Sequence, residues 1–343
     1  MVDAFKKAAL FTDLHFGKKN NDRQHLLDCS NYVDWFIKEA QKLDVDTIIF
    51  LGDWHDNRQN IQILTQNYSL LAMEKIANNF KKFYFIPGNH DLFYKDRRDI
   101  SSIIIGKNIP NIEIIQNITT FNDITLCPWL LDDEWKQIPS LLKRSKYIFG
   151  HFEFPSFRMN SGGSVMQDHG KLHFLDFDHL EGYLFSGHFH SRQLKGRVLY
   201  IGNTFPMDFN DVNDDERGFT FLEWGKEPKL IKWNDAPQYR YYHASDILEN
   251  PETLLNEKTC ARITMDLDLE FEEIRFIKET FMERFGCRFL DFIPKNKEID
   301  EEEFNVKDIQ IKSVDQIVEE GISSFESNSI EKNLLLDIWK MLE

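Results

Sequence analysis

Cysteine is scarce and dispersed in this chain. Four of the 343 residues are cysteine (Cys29, Cys127, Cys260 and Cys287), with no C-x-x-C pair among them. That excludes a disulfide framework and a cysteine-built zinc ribbon, and it points to a reducing, cytoplasmic setting. Long hydrophobic runs are also missing. The apolar stretch within MVDAFKKAALFTDLHFG is interrupted at Asp13 and His15, too soon for a secretory signal or a membrane span, so a soluble protein with no membrane partner is expected. Positive charge is in deficit: 41 Lys and Arg stand against 57 Asp and Glu, a net charge of −16. This excludes a surface that attracts nucleic acid over its whole extent but leaves room for a local basic groove. Three short clusters qualify (Lys95, Arg97 and Arg98; Lys143, Arg144 and Lys146; Arg192, Lys195 and Arg197), each read first as solvated surface. If DNA is the substrate, a partner supplies much of the binding surface. Internal repeats and low-complexity tracts are absent.

What the chain does contain is apolar and aromatic. Hydrophobic residues make up 42% and aromatics 14%, with thirty phenylalanines, a globular composition, and the length suits a large unit with smaller appendages. Short apolar runs stop abruptly at polar residues in AALFTDLH, TIIFLGDWHD, FYFIPGNHD, KYIFGHFE, GYLFSGHFH and VLYIGN, and each reads as a buried strand ending in a functional loop. Between them, Leu26, Cys29, Val33, Phe36, Ile37, Ala40 and Leu43 recur at helical spacing, as do Ile61, Leu64, Tyr68, Leu71, Ala72 and Ile76. Strands alternating with helices give an α/β layered fold. ERGFTFLEWG and PKLIKWND predict a hairpin turning at residues 225–228. Residues 259–294 read as a βαβ unit, with Gly286 as the helix C-cap. The charged run KNKEIDEEE reads as a solvated linker. Leu334, Leu335, Ile338, Trp339 and Leu342 belong to a terminal helical pair with more apolar surface than it can bury alone, so it either packs on its own domain or docks on a partner.

The chemistry-bearing residues gather at the strand ends. Asp13-Leu14-His15, Gly52-Asp53, Gly88-Asn89-His90-Asp91, Gly150-His151 and Gly187-His188-Phe189-His190 all follow apolar runs. The carboxyl ends of strands in such sheets line one crevice, so distant side chains converge there. A glycine before each of the later groups allows tight turns and close backbone approach. In D-L-H and H-F-H the polar residues stand two apart, on one face of extended chain. Oxygen and imidazole donors without thiolates suit divalent first-row ions rather than a structural zinc. Two such ions would activate a water and offset charge on a phosphate.

D-x-H, GD, GNHD, GH and GHxH in this order resemble the calcineurin-like metallophosphoesterase superfamily over residues 8–205. The resemblance implies a layered sandwich of β-sheets flanked by helices. It implies that Asp13, His15, Asp53 and His190 hold one metal and that Asp53, Asn89, His151 and His188 hold the other, with Mn²⁺ ahead of Mg²⁺. His90 would contact the phosphate and protonate the leaving alcohol. Length, the GNHD ending, the later βαβ unit and the terminal helices are similar to the nuclease subunits of SbcD-type double-strand-break repair complexes, including the recombination endonuclease of T-even-like phages. That likeness implies a metal-dependent DNA exonuclease or endonuclease, in the host cytoplasm if phage-encoded. Its domains would be a nuclease domain at 1–240, a small α+β DNA-binding capping domain at 241–298, a linker at 299–312 and a helical motif at 313–343. The helical motif would grip an SMC-like ABC ATPase at its coiled coil, with a nuclease homodimer inside a heterotetramer.

One position departs from the pattern. The nuclease family places a histidine three residues after the bridging aspartate, whereas GDWHD has His55 at two and Asp56 at three. Protein phosphatases of the superfamily have an aspartate there that orients the catalytic histidine, so Asp56 is expected either to orient His90 as a second catalytic residue or simply to pack its loop. His25, His169, His173, His179 and His243 fit no motif and are read as surface or core. The loop Pro155–Gly170 either borders the substrate groove or is ordinary surface. A protein phosphatase, a nucleotide phosphodiesterase and a non-catalytic scaffold remain the alternatives.

Overall fold

The computed structural model describes residues 4–293. The apolar runs form the strands of two six-stranded sheets. The first contains β1 (Lys7–Phe11), β2 (Thr47–Phe50), β3 (Lys82–Phe85), β4 (Ile112–Ile114), β11 (Gly218–Glu223) and β12 (Lys229–Lys232), in the order β12-β11-β1-β2-β3-β4. The second contains β5 (Thr119–Phe121), β6 (Ile124–Cys127), β7 (Tyr147–His151), β8 (Leu184–Gly187), β9 (Gln193–Lys195) and β10 (Val198–Tyr200), in the order β5-β6-β7-β8-β10-β9. Strands β1 to β4 run parallel, as do β6, β7, β8 and β10, so the carboxyl ends within each set point one way. The hairpin of β11 and β12 adds antiparallel to β1.

Alternation along the strands builds the layers. Ala8, Leu10, Ile49 and Tyr84 face the second sheet and pack with Ile124, Leu126, Phe149 and Phe185. Their neighbours Ala9, Phe11, Ile48, Phe50 and Phe83 face the other way, onto Leu26, Val33 and Phe36 of the helix Arg23–Lys42. That helix starts where Asp22 accepts a hydrogen bond from the His25 amide at 3.1 Å, and Phe36 sits 4.7 Å from the Phe11 ring centroid. Burying each such side chain contributes about 1.5–3 kcal/mol. On the outer face of the second sheet, Ile148, Leu184, Val198 and Tyr200 pack with Phe152, Phe154, Phe157 and Phe177. The result is a mixed α/β fold with sheets flanked by helices, the layered arrangement the sequence implies.

A third sheet of β13 (Gln238–His243), β14 (Thr259–Thr264) and β15 (Phe289–Ile293) is parallel throughout. The helix Phe271–Phe285 connects the last two strands and ends at Gly286 with φ 63°, the left-handed cap expected there. The first strand of this sheet begins at Gln238, three residues before the expected capping domain at 241. QYRYYH has no aliphatic residue to mark it as a strand; parallel pairing with β14 makes it one. Residues 4–293 lie within one compact unit, Met1–Pro294. The expected linker at 299–312 and helical motif at 313–343 lie outside the described residues. No helix among the described residues is long and apolar enough to cross a membrane.

Candidate active site

The loops after β1 and β2 are zipped together beyond the ends of their strands. Asp13 N donates to Gly52 O at 2.9 Å, His15 N to Asp53 O at 3.1 Å and Phe16 N to Trp54 O at 2.8 Å. This forces left-handed backbone on non-glycine residues: φ is 53° at Asp13, 49° at His15 and 60° at Asp53, and His188 joins them at 86°. Such conformations are uncommon and persist where the surroundings over-determine them, often at functional sites. Two glycines make the closure possible. A Cβ on Gly52 would lie 2.3 Å from His151 Nδ1, and one on Gly88 would lie 2.2 Å from Asp53 Oδ1.

The side chains that these loops deliver form two sets around Asp53. In the first, ligand-capable atoms of Asp13, His15 and His190 lie within 4.8 Å of one another. His15 Nε2 stands 3.6 Å from Asp13 Oδ1 and 4.0 Å from Asp53 Oδ2. In the second, Asp53, His151 and His188 meet the same criterion of 4.8 Å. His151 Nε2 is 3.2 Å from Asp53 Oδ2, and Asn89 Oδ1 lies 3.1 Å from both His151 Nε2 and His188 Nδ1. Asp53 thus belongs to the second set and borders the first through His15. Its other oxygen, Oδ1, accepts from the His90 amide at 2.8 Å.

Several imidazoles are turned by partners outside the sets. His151 Nδ1–H donates to Leu51 O at 2.6 Å, which turns Nε2 toward Asp53. His188 Nε2 lies 3.5 Å from Glu153 Oε1, which leaves Nδ1 facing Asn89. His15 Nδ1 is 3.4 Å from Asp56 Oδ1. Carboxylates and carbonyls behind metal-binding histidines fix the ring and its tautomer in this way.

Burial alone would disfavour every charge here, and the electrostatics record what overrides it. His15 is carried up to about 10, against burial, by its contacts with Asp13 and Asp56. His151 is carried up to about 9, against burial, by the charge on Asp53. Asp53 is in turn held well below the usual carboxylate range, chiefly by His151. Burial pushes His190 down to about 4, so it is a neutral imidazole with a lone pair to offer. Asp13 Oδ1 and His15 Nε2 are buried, 3.6 Å apart, with no hydrogen-bond partner. Buried polar atoms are seldom left in that condition. Divalent cations between the carboxylate oxygens and imidazoles would satisfy them by displacing the protons that His15 and His151 hold here, and the donor set fits that use.

The structure brings together Asp13, His15, Asp53, Asn89, His151, His188 and His190, and sets His90 beside them, its ring 5.0 Å from that of His15. It separates the two sequence readings of Asp56. The Asp56 carboxylate faces His15; what holds His90 is the Asp56 main-chain oxygen, 2.6 Å from His90 Nδ1. His55 points away from the cleft. It is buried between Ser69 Oγ at 2.8 Å and Ser102 Oγ at 2.9 Å, and burial lowers it to about 3. Ser69 Oγ also accepts from Trp54 Nε1 at 2.8 Å. None of His25, His169, His173, His179 and His243 belongs to a ligand group among the described residues. Two of the basic clusters include structural arginines: Arg98 holds Trp129 O and Gln116 O, and Arg192 holds Ile201 O and Thr220 Oγ1.

Two residues given no role by the sequence reading support the site. Asp91, fully buried, accepts from four main-chain amides, those of Asp53, Trp54, His55 and Gly88, at 2.9–3.2 Å. Burial and the nearby Asp53 charge push it up to about 7 against the pull of those amides. Glu153 follows His151 by two residues in GHFE, and that spacing was the available signal. For Asp91 the signal was the last letter of GNHD.

A family model described as calcineurin-like phosphoesterase matches residues 6–192. Exonuclease subunit 1 of Enterobacteria phage T4 is 28% identical over 241 residues, which span 67% of this chain and 68% of that protein. Among solved structures, a dimetal phosphatase from Danio rerio has a TM-score of 0.41 at 11% identity, covering 64% of this chain and 93% of its own. The E. coli phosphoesterase YfcE has a TM-score of 0.33 at 10% identity, covering 67% and 94%. The nuclease MPE of Pseudomonas putida has a TM-score of 0.27 at 16% identity, covering 63% and 84%.

Proposed function

Because this chain belongs to the calcineurin-like phosphoesterase family, we propose that it is a two-metal DNA nuclease subunit that hydrolyses phosphodiester bonds. The observation that carries the reading is the pair of ligand sets on either side of Asp53, which belongs to one and lies 4.0 Å from His15 of the other. Asp13, His15, Asp53 and His190 would hold one ion, and Asp53, Asn89, His151 and His188 the other. When bound, two divalent ions lower the pKa of a water nucleophile and offset charge on the phosphate oxygens.

The protein's own groups do the rest. His90 commits its Nδ1–H to the Asp56 carbonyl, so Nε2 is the nitrogen that holds a proton for transfer to the leaving alcohol as the phosphorus–oxygen bond breaks. Asp53 ties this arrangement to the ligand sets through its bond from the His90 amide. Asp56 and Glu153 orient His15 and His188 from behind.

DNA is favoured as substrate by the phage relative, an exonuclease subunit by name, aligned over two thirds of each chain. The word subunit also favours a partner, which we take to be an SMC-like ATPase that docks on residues 313–343, where Leu334, Leu335, Ile338 and Trp339 crowd together in sequence. The test is to assay the purified chain with Mn²⁺ or Mg²⁺ on single- and double-stranded DNA, a phosphopeptide, a cyclic nucleotide and bis-p-nitrophenyl phosphate. DNA and the model diester should be cleaved, faster with Mn²⁺; turnover of the phosphopeptide or cyclic nucleotide with DNA intact overturns the reading. Deleting residues from 305 onward should spare diester hydrolysis and abolish binding of the ATPase. Binding that survives the deletion removes the docking role.

A further inference from the structure

Beside the second ligand set lies a cleft of about 270 Å³, whose walls include Arg58, Asn89, Tyr94, Lys95, Trp129 and His188. Trp129 also borders a smaller cavity of about 70 Å³ next to His151. Its ring centroid stands 5.1 Å from that of His188 and 5.8 Å from that of His151. The residue is only half-buried, and its main chain is anchored on both sides. Trp129 N donates to Pro87 O at 2.9 Å, in the segment leading into GNHD. Trp129 O accepts from Arg98 Nε at 3.1 Å, and Arg98 is itself fixed by Gln116 O at 3.0 Å and by Glu134.

The charges around it are arranged for an anion. Arg58 and Lys95 pair with no carboxylate among the described residues, while the acid in the cleft, Glu153, is engaged by His188 Nε2 at 3.5 Å. In a chain of net charge −16, cations without a carboxylate partner beside an anchored aromatic residue and the ligand sets are a specific combination. Stacking surfaces flanked by cations are how proteins hold unpaired nucleotides without reading their identity.

We propose that Trp129 is a stacking platform for the base of the nucleotide that carries the scissile phosphate, with Arg58 and Lys95 facing the adjoining backbone. This rests on the nuclease reading above and makes it more specific. A base locked in a duplex has no face to give to the indole, so the site takes single strands or frayed ends, with little preference among bases.

The test uses the full chain with Mn²⁺ on two single-stranded oligonucleotides, identical except that one carries a tetrahydrofuran abasic analogue at the cleaved nucleotide. Wild type should cut the intact strand with kcat/KM about tenfold higher than the abasic one, the scale of one base-stacking contact. Trp129→Ala should lose about that factor on the intact strand, mainly in KM, and treat the two strands alike, with manganese binding unchanged. Trp129→Phe should restore most of the discrimination. The proposal is overturned if wild type cuts both strands equally, or if Trp129→Ala slows on both while keeping the wild-type ratio. Failure of wild type to cut either strand while duplex DNA is cut overturns this inference alone; failure on single strands, duplex DNA and the model diester alike overturns the nuclease reading, and this inference with it.

Discussion

Asp91 offers the sharpest test of how the site is held. Its Oδ2 accepts from Gly88 N and Asp53 N, each at 2.9 Å, and its Oδ1 accepts from Trp54 N at 2.9 Å and His55 N at 3.2 Å. One carboxylate thus fastens the GD loop to the GNHD loop, and with them Asp53 and Asn89. Asp91→Asn keeps the shape but turns an NH₂ group onto two amide donors, leaving both unsatisfied. Each unsatisfied buried donor costs about 1–3 kcal/mol, so the variant should lose about 2–6 kcal/mol of unfolding free energy. Disturbing an outer-shell partner of this kind typically weakens metal binding by about 10–100-fold. The assay is urea unfolding of the metal-free protein, followed by calorimetric titration of the folded variant with Mn²⁺. A loss below about 1 kcal/mol, within the range of ordinary surface substitutions, together with wild-type manganese affinity, would refute the argument.

Three further outcomes are expected. His90→Ala should bind wild-type amounts of manganese by elemental analysis yet turn over diesters about a hundredfold more slowly or worse; unchanged turnover removes His90 as the acid. Asp56→Ala should weaken manganese binding by about tenfold or more through the loss of His15 orientation, and a calorimetric titration that matches wild type would show that its carboxylate only packs the loop. Burial holds His25 at about 4 against 6.5 in the unfolded chain. The unfolded state therefore takes up the proton first, so this contribution is intact above pH 6.5 and is lost as pH falls toward 4, by up to about 1.4 kcal/mol per unit. His25→Gln should flatten that part of the metal-free unfolding profile, and parallel profiles for the two proteins would contradict the assignment.

The residues that meet in the cleft were legible in the sequence for a physical reason. Buried parallel strands are continuous apolar runs, so Asp13, Asp53, Asn89, His151 and His188 stand out where the runs of β1, β2, β3, β7 and β8 end. What the residue types do not encode is which neighbour turns which ring. Asp56 and His90 are related through a main-chain carbonyl, a contact that any residue at 56 could make, and the carboxylate is left for His15. His55 resembled a site residue by position, but the chain turns it toward Ser69 and Ser102. The strands IEI, TTF and QLK of β4, β5 and β9 are too short to carry a period. QYRYYH of β13 is a strand because β14 pairs with it along its whole length.

The central claim is that Asp53 joins two cation sites. Anomalous diffraction from crystals soaked in manganese measures this directly. Two peaks are expected, one contacting Asp13, His15 and His190, the other contacting Asn89, His151 and His188, with Asp53 touching both. A single peak, or none among these side chains in a well-ordered crystal, would contradict the account.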